Sequence, residues 1–169
     1  MRTELNWIPG PAPGRLAIMP RPRGGDWLAE EIRSWRATGV DVVVSLLTAD
    51  EVVSLELADE RALSEANGIQ FLSFPITDRS VPPSKSAVLA LVTRLAKELT
   101  DGKNIAIHCR QGIGRAGLIA AAVLIQLGID PSAAIQQISA ARGCLIPETL
   151  EQRNWIEMFV GDLKSLVAK

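Results

Sequence analysis

The chain has 169 residues, 47% of them hydrophobic, and its 18 lysines and arginines nearly balance 19 aspartates and glutamates. That length builds one sizeable core rather than two ordinary domains, and the balanced charge excludes an overall field that would hold nucleic acid or an anionic membrane. Two cysteines, Cys109 and Cys144, are too few for a disulfide scaffold, and a single histidine, His108, leaves no conventional zinc set, so no metal or cofactor is expected.

The N-terminal stretch lacks the apolar region of a signal peptide. The longest apolar run, Leu118 to Ile125, is far short of a membrane span, so a soluble cytoplasmic protein is expected.

Pro9, Gly10, Pro11, Pro13 and Gly14 mark residues 1–15 as an irregular leader, with a single domain predicted over 16–169. Leu16 to Met19 reads as a short strand stopped by Pro20 and Pro22. Asp26 can cap a helix to Thr38 whose Trp27, Leu28, Ile32 and Trp35 share a face, and Gly39 ends it.

Val40 to Leu47 is β-branched and almost wholly apolar, as expected of a strand covered on both faces. Thr48 then opens an interrupted helical stretch to Asn67. Ile69 to Phe74 is the next strand, and a proline-rich loop leads to a helix opened by Ser84, with Val88, Leu91, Val92, Leu95 and Leu99 as its apolar stripe. Ile105 to His108 forms a buried strand, and the chain turns through Cys109 to Gly114 into a helix ending near Gly128. Two further helices are predicted, over Pro131 to Arg142 and Pro147 to Val167. Strands alternating with helices predict an α/β fold, a central mainly parallel sheet flanked by helices.

In such sheets, ligands sit beyond the carboxyl ends of the strands. The segment there, His108 and Cys109 followed by Arg110, Gln111, Gly112, Ile113, Gly114 and Arg115, joins a strand to a helix. Its glycines permit a turn that aims successive N–H groups inward as an anion nest at a helix N-terminus, a setting that favours a thiolate at Cys109. Arg115, in the first turn of the helix, can return a planar two-point contact to a phosphoryl group. Asp78 lies 31 residues before Cys109 in a separate loop. If the preceding strands are neighbours, it can protonate a leaving oxygen and later deprotonate a water.

His-Cys-x5-Arg, in the form HCRQGIGRAG, resembles the signature of the protein tyrosine and dual-specificity phosphatases. FPITDRSVPP resembles the acid loop of that family, especially its compact kinase-associated branch, and IPETLEQ resembles a later loop whose glutamine orients the hydrolytic water. The resemblance covers roughly residues 16 to 160 and implies a phosphatase-type sandwich. It implies Cys109 as nucleophile, Arg115 as clamp, Asp78 as general acid, residues 110–115 as the phosphate loop, and His108 and Gln152 in support. The implied reaction is metal-independent hydrolysis of phosphorylated protein or peptide through a phosphocysteine. One departure is Ala116, where the family usually has serine or threonine; slower breakdown of the phosphoenzyme is expected from it.

Other readings compete. GIGRAG, Gly112 to Gly117, matches a dinucleotide fingerprint with Asp130 downstream, but Asp130 follows a helix rather than a second strand. Cys-x5-Arg also serves arsenate reduction and sulfur transfer, and a nest with an arginine could simply bind phosphoprotein. Cys144 reads as a buried small side chain, with a redox partnership to Cys109 as its alternative. Gln152 reads equally well as a solvent-facing residue. Arg142 reads as surface charge or as support for the loop, and Arg21, Arg23 and Arg79 as a cationic rim.

Overall fold

The computed structural model describes residues 2–167, with side chains described through residue 164. Five strands form one sheet: β1 (Asn6–Ile8), β2 (Leu16–Met19), β3 (Val42–Ser45), β4 (Gln70–Ser73) and β5 (Ile105–His108), in the order β1-β2-β5-β3-β4. All pairings are parallel except β1 with β2. The segment expected to be an irregular leader therefore supplies an edge strand, with Trp7 opposite Ala17, before its prolines and glycines break the pairing.

Alternation along the strands builds two cores, one on each face of the sheet. Leu16, Ile18, Val42, Val44, Ile105 and Ile107 face one side, where α4 (Lys85–Thr100) and α5 (Gly114–Gln126) pack together with α6 (Pro131–Arg142) and α7 (Leu150–Val167). Met19, Val43 and Ala106 face the other, against α1 (Leu28–Thr38) and its Ile32 and Trp35. The short α2 (Ala49–Ser54) and α3 (Glu60–Ala66) complete the interrupted helical stretch read from Thr48.

Local chemistry sets the boundaries. Ser84 caps α4 by accepting from the Ala87 N–H, and Thr48 and Glu51 form a reciprocal capping box on α2. Gly39 ends α1 in a left-handed conformation. Asp26 does not cap α1; it lies in a short 3-10 turn, Gly25–Trp27, that leads into the helix. Asp130 caps α6 through the N–H groups of Ser132 and Ala133, which accounts for its place after GIGRAG without a nucleotide. No described helix is long and apolar enough to cross a membrane.

Helix α5 is enclosed from Gly114 to Ile125, and its run Ala120, Ala121, Ala122 lets the sheet and neighbouring helices approach it closely. Since β5 and α5 are both buried, the loop between them is anchored at each end. Ala121→Leu is expected to lower stability by about 1–3 kcal/mol through overpacking, read as a lower urea midpoint; an unchanged midpoint would mean that this contact is loose.

Candidate active site

Cys109 follows the last residue of β5 and is 2% exposed, in a small pocket that it lines with Asp78, Arg110, Gln111, Gly114, Arg115 and Glu148. Strands β2, β5 and β3 end in register at Met19, His108 and Ser45, so their carboxyl ends form the floor beneath this loop. A larger groove of about 580 Å³ lies between α4 and α7, but it is apolar, lined by Val88, Leu89, Trp155 and Phe159. Size alone would select that groove; chemistry selects the small pocket.

The loop carbonyls turn outward. The Arg110 carbonyl accepts from the Arg21 backbone N–H at 3.2 Å, and those of Gln111 and Gly112 accept from the Arg142 guanidinium at 3.0 and 3.2 Å. In a trans peptide the N–H opposes the C=O, so the N–H groups of Gln111, Gly112 and Ile113 point the other way, as an anion nest requires. Arg142 thus supports the loop. Arg21 contributes its backbone, whereas Arg23 pairs with buried Glu31 and lies over Trp27.

One glycine is required here by geometry, and a second stands where a side chain would crowd the pocket. Gly112 has φ +70°, and a Cβ there would lie 2.4 Å from the Met19 carbonyl carbon. At Gly114 a Cβ would come within 2.9 Å of both Gln152 Oε1 and Glu148 Oε2. The first glycine makes the turn, and the second leaves room for the side chains that close the pocket.

Arg115 is 1% exposed, and both of its terminal nitrogens are engaged. Its two terminal nitrogens donate to the Glu51 carboxylate at 2.7 and 2.9 Å, one also donates to the Ile76 carbonyl at 2.9 Å, and the other meets Asp78 Oδ1 at 3.0 Å. Burial works against this charge, yet the Glu51 hydrogen bond, then the Cys109, Glu51 and Asp78 charges, outweigh it and raise the Arg115 pKa. The Arg115 hydrogen bond in turn lowers the Glu51 pKa against the opposing effect of burial, with Thr48 assisting. Sequence reasoning missed Glu51. Its signal was Thr48-x-x-Glu51, a capping pattern that fixes the carboxylate at the N-terminus of α2.

Asp78 reaches the pocket by a route other than the expected one. β4 does not neighbour β5; β3 lies between them. The chain instead turns back over the end of β3, where Phe74 and Ile76 N–H groups donate to the Ser45 and Leu46 carbonyls. This brings Asp78 to Arg115. Arg79 follows in a left-handed conformation, φ 60°, and its guanidinium donates to Glu148 at 2.8 Å. No sequence pattern singled out Glu148.

Gln152 is fully buried rather than solvent-facing, and its amide links two loops: Nε2 donates to the Ser80 carbonyl at 3.0 Å and Oε1 accepts from the Thr149 N–H at 3.2 Å. His108 is buried behind the loop, with Nδ1 3.3 Å from the Cys109 carbonyl and Nε2 2.6 Å from Glu60. Cys144 is exposed, contrary to the expectation of burial, because Gly143 ends α6 and turns the chain outward; both cysteines are free thiols.

Because the lowered Glu51 pKa is a native-state property, the pair adds stability above the ordinary carboxylate value of 4.5 and loses it as pH falls through the lowered native value. Glu51→Gln is therefore expected to cost about 3 kcal/mol near neutrality, since it leaves Arg115 buried with one partner fewer. In urea melts the gap from the unmodified protein should narrow toward pH 3; a gap independent of pH would contradict the ionic account.

The chain as a whole is similar to known proteins. A family model described as the DSP-PTPase phosphatase of polymorphic toxin systems matches residues 17–129. The chain is 28% identical over 164 residues to the putative tyrosine phosphatase 197R of Invertebrate iridescent virus 6, covering 95% of this chain and 58% of the relative. It is 30% identical over 132 residues to cyclin-dependent kinase inhibitor 3 of Rattus norvegicus, covering 77% and 60%. The chain thus spans somewhat under two thirds of the length of these relatives. A crystal structure of kinase associated phosphatase, with its catalytic-site cysteine replaced by serine, superposes with a TM-score of 0.87 at 20% identity over 98% of both chains. Tk-PTP in its active form superposes with a TM-score of 0.73 at 25% identity, over 93% and 96%. With Cys109 and Arg115 both inside the matched span, the chain belongs to the DSP-PTPase phosphatase family.

Proposed function

We propose that this protein is a cysteine-dependent phosphoprotein phosphatase, hydrolysing phosphotyrosine and, as a dual-specificity enzyme, phosphoserine or phosphothreonine. The observation that carries this reading is the convergence of Cys109, Arg115 and Asp78 on one pocket, with Asp78 Oδ1 3.0 Å from Arg115.

In the proposed cycle, the substrate phosphoryl group displaces Asp78 from Arg115 and takes up the guanidinium and the inward N–H groups of residues 110–115, and the freed Asp78 carboxylate takes up a proton from solvent. The Cys109 thiolate attacks phosphorus as the bond to the leaving oxygen breaks, and Asp78 donates its proton to that oxygen. A water then attacks the phosphocysteine while Asp78 takes the water's proton, and phosphate departs with the thiolate restored. Gln152 orients that water once the acid loop withdraws Ser80 from its amide. His108 acts from behind the loop.

Free thiols at Cys109 and Cys144 support a reducing, cytoplasmic setting, and the neutral overall charge supports phosphoprotein rather than nucleic acid or membrane as partner. We propose one phosphatase domain, and because β1 pairs with β2 its expected start at residue 16 moves back to include Asn6–Ile8.

The test is hydrolysis of para-nitrophenyl phosphate and a phosphotyrosine peptide. Cys109→Ser should abolish turnover, and Asp78→Asn should lower kcat by about 100-fold. Activity retained by Cys109→Ser would overturn the assignment, and tight phosphopeptide binding without turnover by the unmodified protein would make it a phosphate reader.

Ala116 is fully buried in the first turn of α5, where the family's hydroxyl would support the departing thiolate. Ala116→Ser is expected to speed phosphoenzyme breakdown in single-turnover experiments; an unchanged rate would leave Ala116 without kinetic effect.

A further inference from the structure

On the face of the sheet opposite α5, a polar cluster interrupts an apolar core. Glu60 on α3 is 1% exposed and His108 on β5 is fully buried, and they meet at 2.6 Å. The apolar core of this face is formed by residues that include Met19, Ile32, Val43, Leu57, Ile69 and Ala106. Trp35 is the aromatic neighbour, its ring centroid 6.4 Å from that of His108. Ser64, one helical turn after Glu60, is also fully buried.

Stability alone does not explain this cluster. Glu60 Oε2, Ser64 Oγ and Trp35 Nε1 have no hydrogen-bond partner among the described residues, so the carboxylate is only half satisfied. A buried pair of this kind is often replaced by apolar residues at no loss of stability. Its other connection leads to the reacting loop: the second ring nitrogen of His108 faces the Cys109 carbonyl at 3.3 Å.

The two contacts constrain the protons. A neutral imidazole has one N–H, yet both ring nitrogens here face oxygen acceptors. Both contacts are hydrogen bonds only if the pair holds one proton beyond those of a neutral ring and a carboxylate, placed either on the ring or on Glu60. With that proton present, Nδ1 donates to the Cys109 carbonyl. Without it, the ring donates to Glu60 and turns a lone pair toward that carbonyl.

We propose that Glu60 is a positioning residue of the catalytic loop: through His108 it directs an N–H at the Cys109 carbonyl and so fixes the peptide plane from which the nucleophile projects. The proposal rests on Cys109 being the nucleophile. The charged groups nearer that thiol are Arg115 and Asp78 at the pocket, and Arg110 and Glu148 on its walls; Glu60 acts only through the ring.

The test compares Glu60→Gln, Glu60→Met, His108→Leu and the Glu60→Met/His108→Leu double variant, all in a Cys144→Ser background. Two quantities are read: kcat and KM for para-nitrophenyl phosphate, and the pH profile of Cys109 alkylation by iodoacetamide, followed by mass spectrometry. A glutamine can donate to Nε2 and keep Nδ1–H on the carbonyl, so Glu60→Gln should stay within about threefold of the background protein. Glu60→Met should lose about 10- to 100-fold in kcat with little change in KM, through misplacement of the nucleophile, and its alkylation profile should shift. The double variant should match His108→Leu alone. If Glu60→Met does not fold, this last comparison carries the test, because the double variant replaces the whole pair with apolar groups.

Glu60→Met equal to the background in both quantities would overturn the proposal. So would Glu60→Gln as impaired as Glu60→Met, or a double variant tenfold worse than His108→Leu. Alkylation needs no turnover, so a failure of the phosphatase reading remains distinguishable from a failure of the positioning role.

Discussion

The site depends on one buried cation. Arg115 sits at the start of an enclosed helix, where a guanidinium without partners would be too costly to bury. Glu51 meets it with both carboxylate oxygens, the Ile76 carbonyl takes a third bond, and Asp78 closes the fourth side. These three partners come from α2 and from the loop after β4, so satisfying one charge ties both segments to the start of α5 beyond the end of β5. Asp78 is the exposed member of the set, and its place is the one that an incoming phosphoryl group can take.

A rigid cradle surrounds that charge. The loop carbonyls are held from outside by the Arg21 backbone and the Arg142 side chain, and Gly112 occupies a turn that a side chain would block. Two further contacts, Arg79 with Glu148 and Gln152 with the Ser80 carbonyl, join the Asp78 loop to the start of α7. Fixed donors opposite a displaceable acid suit a reaction in which charge develops on a transferred phosphoryl group.

Much of this was legible in the sequence because it is local. His-Cys-x5-Arg between a buried strand and a helix located the loop, and short, almost wholly apolar runs located β2, β3 and β5 with both faces covered. The residues that stayed hidden act across long sequence separations. Glu51 lies 64 residues from Arg115, and Glu60 lies 48 residues from His108; each reads as an ordinary helix-start acid until the sheet order is known. Strand order also explains the route of Asp78, since a motif spacing does not reveal that β3 intervenes. β1 was missed because its three residues run straight into a stretch of prolines and glycines and gain their pairing only from β2.

In the proposed cycle, Cys109 carries the phosphoryl group. The most direct measurement is acid quenching during turnover of a phosphotyrosine peptide, followed by mass spectrometry of the peptides containing Cys109 and Cys144. The account predicts a phosphoryl adduct on Cys109 that forms and decays with turnover, and none on Cys144. Turnover with no adduct on Cys109 in a time course that resolves a single catalytic cycle, or an adduct on another residue, would contradict it.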